Sequence, residues 1–208
     1  MEINANWNKK EWRKAATLSV NKIMGDQPGY TPSVWAKLLY DSAHVYIIFS
    51  VKEKFLNANV KEINGPVWQD ACVEFFFAPD TLFPERYFNL ETNAAGVALM
   101  HFNKVAKDSM TDSAVNDIKK IIISHSFIAV GEKEIKKQVK WTLEYKLPIA
   151  ILEKYATITR PAPGVYWRAN FYKIAHKSSH PHYLSWSNVP GDVDMHLPQF
   201  FGKLKFQD

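Results

Sequence analysis

The chain has 208 residues, with 26 Lys and Arg against 21 Asp and Glu for a formal net charge of +5, and it is 47% hydrophobic, 14% aromatic and 23% charged. This is ordinary globular composition, which excludes long disorder and allows a core to form without disulfides or a structural metal. Cys72 is the sole cysteine, which excludes an intrachain disulfide and a Cys-rich zinc site.

No run of about 18 apolar residues occurs, so no spanning helix is expected. The basic residues are spread along the chain. The densest cluster, Glu132 to Lys140, mixes both signs, whereas a nucleic-acid footprint gathers Lys and Arg on one face. Neither a membrane nor a nucleic acid is therefore expected as a partner. Met1 to Asn6 lacks a basic stretch followed by an apolar one, so the chain as written shows no export signal. The compartment stays open: periplasm or secretion if a leader has been removed, otherwise cytoplasm.

Taken in chain order, the dominant pattern is two-residue alternation, the period of strands. Val34 to Tyr40 and His44 to Val51 flank Asp41-Ser42-Ala43, a short hairpin turn. Cys72 to Phe77 is an aromatic, β-favouring run stopped by Pro79. Arg86 to Thr92 and Val97 to Phe102 flank Asn93-Ala94-Ala95-Gly96, a second hairpin. Further strands read at 121–130, 140–147, 165–174 and 201–206. Helix is scarce: Pro148 to Tyr155 begins with Pro at a first helical position, and Asp112 to Lys120 can form a turn. The pattern predicts an all-β fold, a single antiparallel β-sandwich with jelly-roll or immunoglobulin-like layers, one or two short helices and long loops. No linker divides it, so residues 1–208 read as one domain. The long unpatterned segments 53–67, 103–120 and 176–199 are where a sandwich usually carries function.

Three constellations stand out. In Trp68 to Phe76, alternation places Val73, Phe75 and Phe77 on one face and Glu74 with Phe76 on the other. A carboxylate in an apolar strand is costly unless paired or facing a groove, so Glu74 is either a structural partner of a neighbouring strand or an acceptor for a ligand. In Val165 to Lys173, Trp167, Ala169 and Phe171 read as core. Tyr166, Arg168, Asn170 and Tyr172 form a polar-aromatic stripe suited to a neutral polyhydroxylated ligand. Tyr87, Asn89, Glu91 and Asn93 form a similar stripe, and either stripe alone can equally be a solvated sheet face. Trp186 lies among polar residues in the last long loop, an uncommon exposed position unless it packs or binds something. His176, His180 and His182 match no standard zinc spacing, and no GxSxG, HExxH, Walker or GxGxxG motif occurs. Cys72 precedes an apolar strand and is expected buried and inert.

Taken together, these segments resemble the family 9 carbohydrate-binding modules. The resemblance rests on Trp68-x-Asp70-x-x-x-Glu74, a Tyr87 strand ending in Asn93-x-x-Gly96, Trp167-Arg168-x-Asn170-Phe171, the loop residue Trp186, and the terminal Pro198-Gln-Phe-Phe-Gly-Lys-Leu-Lys-Phe206. Trp12-Arg-Lys-Ala15 and the hairpin from Lys37 to Val51 resemble the family's opening, so the likeness spans nearly the whole chain. It implies a β-sandwich that binds glucose-type sugars, often at glucan chain ends, in support of polysaccharide or glycan breakdown. By this resemblance Trp68 and Trp186 clamp the ring and Glu74 is the buried hydrogen-bonding acid. Asn89, Glu91, Arg168, Asn170 and Tyr172 complete the expected carbohydrate-binding set, with no catalytic residue. No cofactor is required. Structural calcium occurs in the family, and Asp41, Asp70, Asp192 and Asp194 are scattered candidates for it.

The chemistry fits that picture. Indoles cover the C–H faces of a pyranose, while Glu, Asn and Arg pair with its rim hydroxyls. A small slot of this kind binds with Kd on the order of micromolar to millimolar, about −8 to −4 kcal/mol. Two other classes compete. A glycoside hydrolase would need two carboxylates about 5–9.5 Å apart, for which Glu74 and Glu91 are the pair. An interaction sandwich without a sugar site would have Trp186 packed and no groove between it and Trp68.

Overall fold

Alternating apolar residues make strands because each strand can then bury one face against a second layer. The computed structural model describes residues 1–105, 110–128 and 133–207. A 3-10 turn at Lys10–Arg13 and the short strands β1 (Leu18–Ser19) and β2 (Lys22–Ile23) precede the hairpin of β3 (Ser33–Tyr40) and β4 (His44–Glu53). A 3-10 turn at Val67–Gln69 leads into β5 (Ala71–Ala78), then the hairpin of β6 (Tyr87–Asn93) and β7 (Ala98–Asn103), β8 (Met110–Asp112) and a one-turn helix, α1 (Val115–Ile118). β9 (Ile122–His125) and β10 (Val139–Pro148) follow, with helix α2 (Ile149–Leu152) closing β10. The chain ends with β11 (Tyr166–Ala175), β12 (Tyr183–Ser185), a 3-10 turn at Pro198–Phe200 and β13 (Gly202–Lys205).

Two antiparallel sheets form. The five-stranded sheet runs β1-β3-β4-β10-β9, and the eight-stranded sheet runs β2-β12-β11-β5-β6-β7-β8, with β13 also paired to β11. The expected sandwich is thus the observed one. Each long expected strand is present to within a residue or two, apart from the one expected over 121–130: β9 ends at His125, and residues 129–130 lie outside the described residues. The elements without a sequence signal are β1, β2, β8 and β12, each two or three residues long, too short for a period to register.

The hairpin turns have local causes. Asp41 Oδ1 accepts the amides of Ala43 and His44, both at 2.8 Å, and Asp41 Oδ2 accepts the Tyr46 hydroxyl at 2.6 Å. The β6–β7 turn closes on Gly96 at φ +81°, a left-handed conformation that glycine adopts without penalty.

Between the sheets, Val73, Phe75, Phe77, Phe88, Leu90, Trp167, Ala169 and Phe171 meet Val45, Ile47, Phe49, Trp141, Leu143 and Tyr145 in one buried cluster. Phe75 stacks on Phe77 at 4.5 Å and on Phe171 at 4.9 Å, and Phe77 stacks on Trp167 at 5.5 Å. Such ring pairs add about 0.5–1.5 kcal/mol each beyond area burial.

The eight-stranded sheet has a second covered face. Phe76, Tyr87 and Tyr172 point away from the main core and are packed beneath Tyr183, Val189, Met195, Leu197, Phe200 and Phe201 of the last long segment. The Tyr87–Asn93 and Tyr166–Tyr172 stripes are therefore for the most part not a solvated sheet face. They form a floor under a loop.

Candidate functional site

A cavity of about 390 Å³ opens between that floor and its loop, lined by Trp68, Glu74, Phe76, Glu91, Ile174, His176, Tyr183, Val193, Met195 and His196. β5 supplies Glu74 and Phe76, β6 supplies Glu91, and β11 supplies Ile174. Strand register sets Glu74 directly between Glu91 and Tyr172, so the two carboxyls stand side by side on one face. Cβ atoms of such a pair lie about 4.5–5.5 Å apart.

Both carboxyls are buried, Glu74 at 1% and Glu91 at 5% exposure. Asn89 Nδ2 donates to Glu91 Oε1 at 2.8 Å, and Asn103 Nδ2 holds Asn89 Oδ1 at 2.8 Å. Glu74 Oε2 and Glu91 Oε2 have no hydrogen-bond partner among the described residues. Burial, reinforced by the charge of Glu91, pushes the Glu74 carboxyl well above its ordinary range. Burial likewise raises Glu91 to about 7, against the opposing hydrogen bond from Asn89.

The walls are held by polar anchors. Asp70 Oδ2 accepts the amides of Asn59 and Val60 and the side-chain amide of Asn93, and Gln69 O accepts the Lys177 amide at 2.9 Å. These bonds fix the 3-10 turn that presents Trp68, which is 38% exposed and meets His176 edge-on at 5.2 Å. Tyr172 donates its hydroxyl to Met195 O at 3.1 Å, and the Tyr87 hydroxyl pairs with His196 Nδ1 at 2.7 Å. The loop bearing Met195 and His196 is thereby tied to the floor.

Of the expected ligand-facing residues, Trp68, Glu74 and Glu91 come together. Asn89 sits behind Glu91 as its positioning partner, and Tyr172 lies beneath the loop with its hydroxyl spent on Met195. Three others are elsewhere. Arg168 donates to Phe201 O and Gln199 O, both at 2.9 Å, and lines a separate depression with Asp80 and Tyr166. Asn170 is buried and clasps the Ser187 backbone through both its amide atoms.

Trp186 does not share a cavity with Trp68. It meets Phe171 edge-on at 5.8 Å and lines another depression with Leu18, Tyr40 and Lys203. Alternation along β12 explains this. Leu184 and Trp186 point to the main core, so Tyr183 is the residue delivered to the cavity. The expected clamp of two tryptophans is not formed by this pair, and Trp68 is the one indole lining the cavity among the described residues.

Of the other cavity residues, Ile174 carries no sequence signal, His176 only its place in the histidine cluster, and Tyr183, Val193, Met195 and His196 only their place in the long segment 176–199. Phe76 had a signal, since it shares the face of Glu74. The three histidines of the last loop diverge. His176 pairs with the Tyr183 hydroxyl, His180 stacks on Phe55 at 3.7 Å, and His182 faces Lys173 Nζ at 3.1 Å. Asp41 and Asp70 spend their carboxylates on N–H and O–H donors, and no group of three or more His, Cys, Asp or Glu side chains among the described residues is arranged to hold a metal ion. Cys72 is buried, and burial followed by the charges of Glu74 and Glu91 pushes its thiol up. No helix among the described residues is long and apolar enough to cross a membrane.

A two-sheet sandwich with an aromatic-rimmed cavity and acids at its floor has the design of a carbohydrate-binding module. The sequence profile of carbohydrate-binding family 9 matches residues 8–206, and the chain belongs to that family. It is similar to a provisionally assigned carbohydrate-binding protein from Bacteroides uniformis, with 26% identity and a TM-score of 0.84 over 95% of this chain and 88% of that one. It is also similar in fold to a family 9 module from Caldicellulosiruptor kristjanssonii, solved with glucose and with cellotriose. There the TM-score is 0.67 at 15% identity over 100% of this chain and 91% and 89% of those chains. No curated protein sequence matches the chain.

Proposed function

We propose that this chain is a non-catalytic module that takes one sugar ring, free or at the end of an oligosaccharide such as a glucan, into the cavity between β5, β6 and the last long loop. Trp68 stacks on the C–H face of the ring, and Glu74 and Glu91 accept its hydroxyls. The observation that carries this reading is the pair of buried carboxyl oxygens without a partner among the described residues, on two residues that line a cavity rimmed by an exposed indole. Leaving such groups unsatisfied costs about 1–3 kcal/mol each, and a polyhydroxylated ligand removes that cost. An interaction sandwich with no small-molecule site accounts for the packed Trp186, but it gives the buried carboxyls under the Trp68 cavity no purpose. Family membership and the glucose and cellotriose held by fold neighbours support the same reading.

Titration with glucose, cellobiose and related sugars, followed by tryptophan fluorescence and calorimetry, tests it. The expected outcome is saturable binding weakened at least about tenfold by Trp68→Ala with the melting temperature unchanged. Trp186→Ala should instead lower the melting temperature and leave the affinity within about threefold. A flat response across the panel would overturn the reading.

One observation favours a second reading. Glu74 and Glu91 are adjacent carboxyls of the kind glycoside hydrolysis uses. That chemistry needs one ionised and one protonated acid flanking the scissile bond, whereas here both are raised by burial and share one floor. Incubation with cello-oligosaccharides and aryl glucosides decides it, since turnover abolished by Glu74→Gln would make the protein an enzyme.

A further inference from the structure

We propose that the cavity selects a sugar bearing a primary amine, an amino sugar or an oligosaccharide ending in one, with the ammonium group received between Glu74 and Glu91. This deepens the carbohydrate-binding reading and rests on it. An ionised carboxylate only accepts hydrogen bonds, and Glu74 and Glu91, which line one cavity, each carry a buried oxygen without a partner among the described residues. A neutral hydroxyl brings a single O–H, so it serves one of these oxygens. An ammonium brings three N–H donors and can serve both.

Charge balance points the same way. Among the described residues lining the cavity there is no Lys or Arg. The cation nearest in sequence to the floor, Lys173, lies on the opposite face of β11 with its Nζ 3.0 Å from Glu53 Oε2. His176 and His196, the remaining basic groups of the lining, already pair with the hydroxyls of Tyr183 and Tyr87 through Nδ1. Burial and mutual repulsion hold these two carboxyls toward their protonated forms when the cavity is empty, and a cation received between them favours the ionised pair and turns repulsion into two charge-assisted hydrogen bonds. The rest of the lining remains what a sugar ring needs: the indole of Trp68 and the apolar side chains of Phe76, Val193 and Met195.

Calorimetry at pH 6.5 on the full chain with glucose, glucosamine, N-acetylglucosamine and glucuronate tests the proposal. Charge-assisted hydrogen bonds exceed neutral ones by enough to give glucosamine an affinity about tenfold above glucose. N-acetylglucosamine, whose nitrogen is neutral and bulkier, should bind more weakly than glucosamine by a similar factor, and glucuronate more weakly than glucose. Glu91→Gln and, separately, Glu74→Gln should each collapse the glucosamine-to-glucose ratio to within about threefold, with circular dichroism confirming the fold. Glucosamine binding no better than glucose, or a preference that survives both variants, would overturn the amine selectivity and leave the sugar module standing. Failure of every sugar to bind would instead overturn both readings.

Discussion

Glu91 shows how a single side chain ties the site to stability. Its folded carboxyl is raised from the ordinary 4.5 to about 7, mainly by burial, so the folded state binds this proton more tightly than the unfolded chain. That contribution is complete below about pH 4.5 and is lost as the pH rises through about 7. Glu74 shifts in the same direction. Asp41 acts with the opposite sign. Partial burial works against its charge, but the Tyr46 hydroxyl and the Ala43 and His44 amides pull it from 3.8 to about 2, so its contribution is present above pH 3.8 and lost as the pH falls toward 2. The melting temperature should therefore fall between pH 5 and 8, and Glu91→Gln should flatten much of that fall. Thermal denaturation across pH checks it, and an unchanged slope in the variant would remove Glu91 as the cause. Between pH 4 and 2, Asp41→Asn should flatten the acid-side loss in the same assay.

At the scale of elements, β12 and β13 decide what Trp186 does. A Cβ on Gly202 would lie 2.6 Å from Trp186 Cζ3, so the indole reaches its packing site only because β13 has no side chain there. Gly202→Ala forces the ring or the strand to shift, and overpacking of this kind costs about 1–3 kcal/mol. Urea denaturation should report that loss, while sugar affinity at the Trp68 cavity stays within about threefold. The same logic explains the missing clamp. β12 is three residues long, and its alternation hands Tyr183 to the cavity and Leu184 and Trp186 to the core. A tryptophan in a polar loop was legible as unusual, but the face it takes depends on pairing between β12 and β11.

Across the whole molecule, buried ionic links join parts that lie far apart in sequence. Glu53 of β4 accepts Trp141 Nε1 of β10 at 2.6 Å and pairs with Lys173 of β11 at 3.0 Å, which bridges the two sheets. His182 lies beside them and is held neutral, its pKa lowered to about 3 by burial and then by the Lys173 charge. Removing one partner of a buried pair leaves an uncompensated charge, so Glu53→Ala should cost about 3–5 kcal/mol in guanidinium denaturation. Substituting Lys173 and Glu53 together by Met and Leu should recover most of it. A second link latches the N-terminus. Glu144 Oε2 accepts the Asn4 and Ala5 amides, and its Oε1 accepts Trp12 Nε1 at 2.9 Å and pairs with Lys9. Trp12, whose surroundings resemble the family's opening, is thus a structural residue and is fully buried.

Period-two alternation from Val34 to Phe206 determined the strands, their two faces and hence the sandwich, because those properties depend on neighbours one or two residues away. The same local rule placed Glu74 with Phe76 and aligned Asn89 with Glu91, and the ordered motifs carried the family. Only tertiary structure decided which long strands are neighbours, and so that Glu74 faces Glu91. It also decided that the loop after β12 folds back over the outer face, anchored by Tyr87 and Tyr172, and brings Met195 and His196 to the cavity. Arg168, Asn170 and Trp186 carry the residue types a sugar site uses, yet their hydrogen bonds and packing are spent on the backbone of that loop and on the core. A residue's type fixes the bonds it can make, and only the folded chain fixes which partners reach it first.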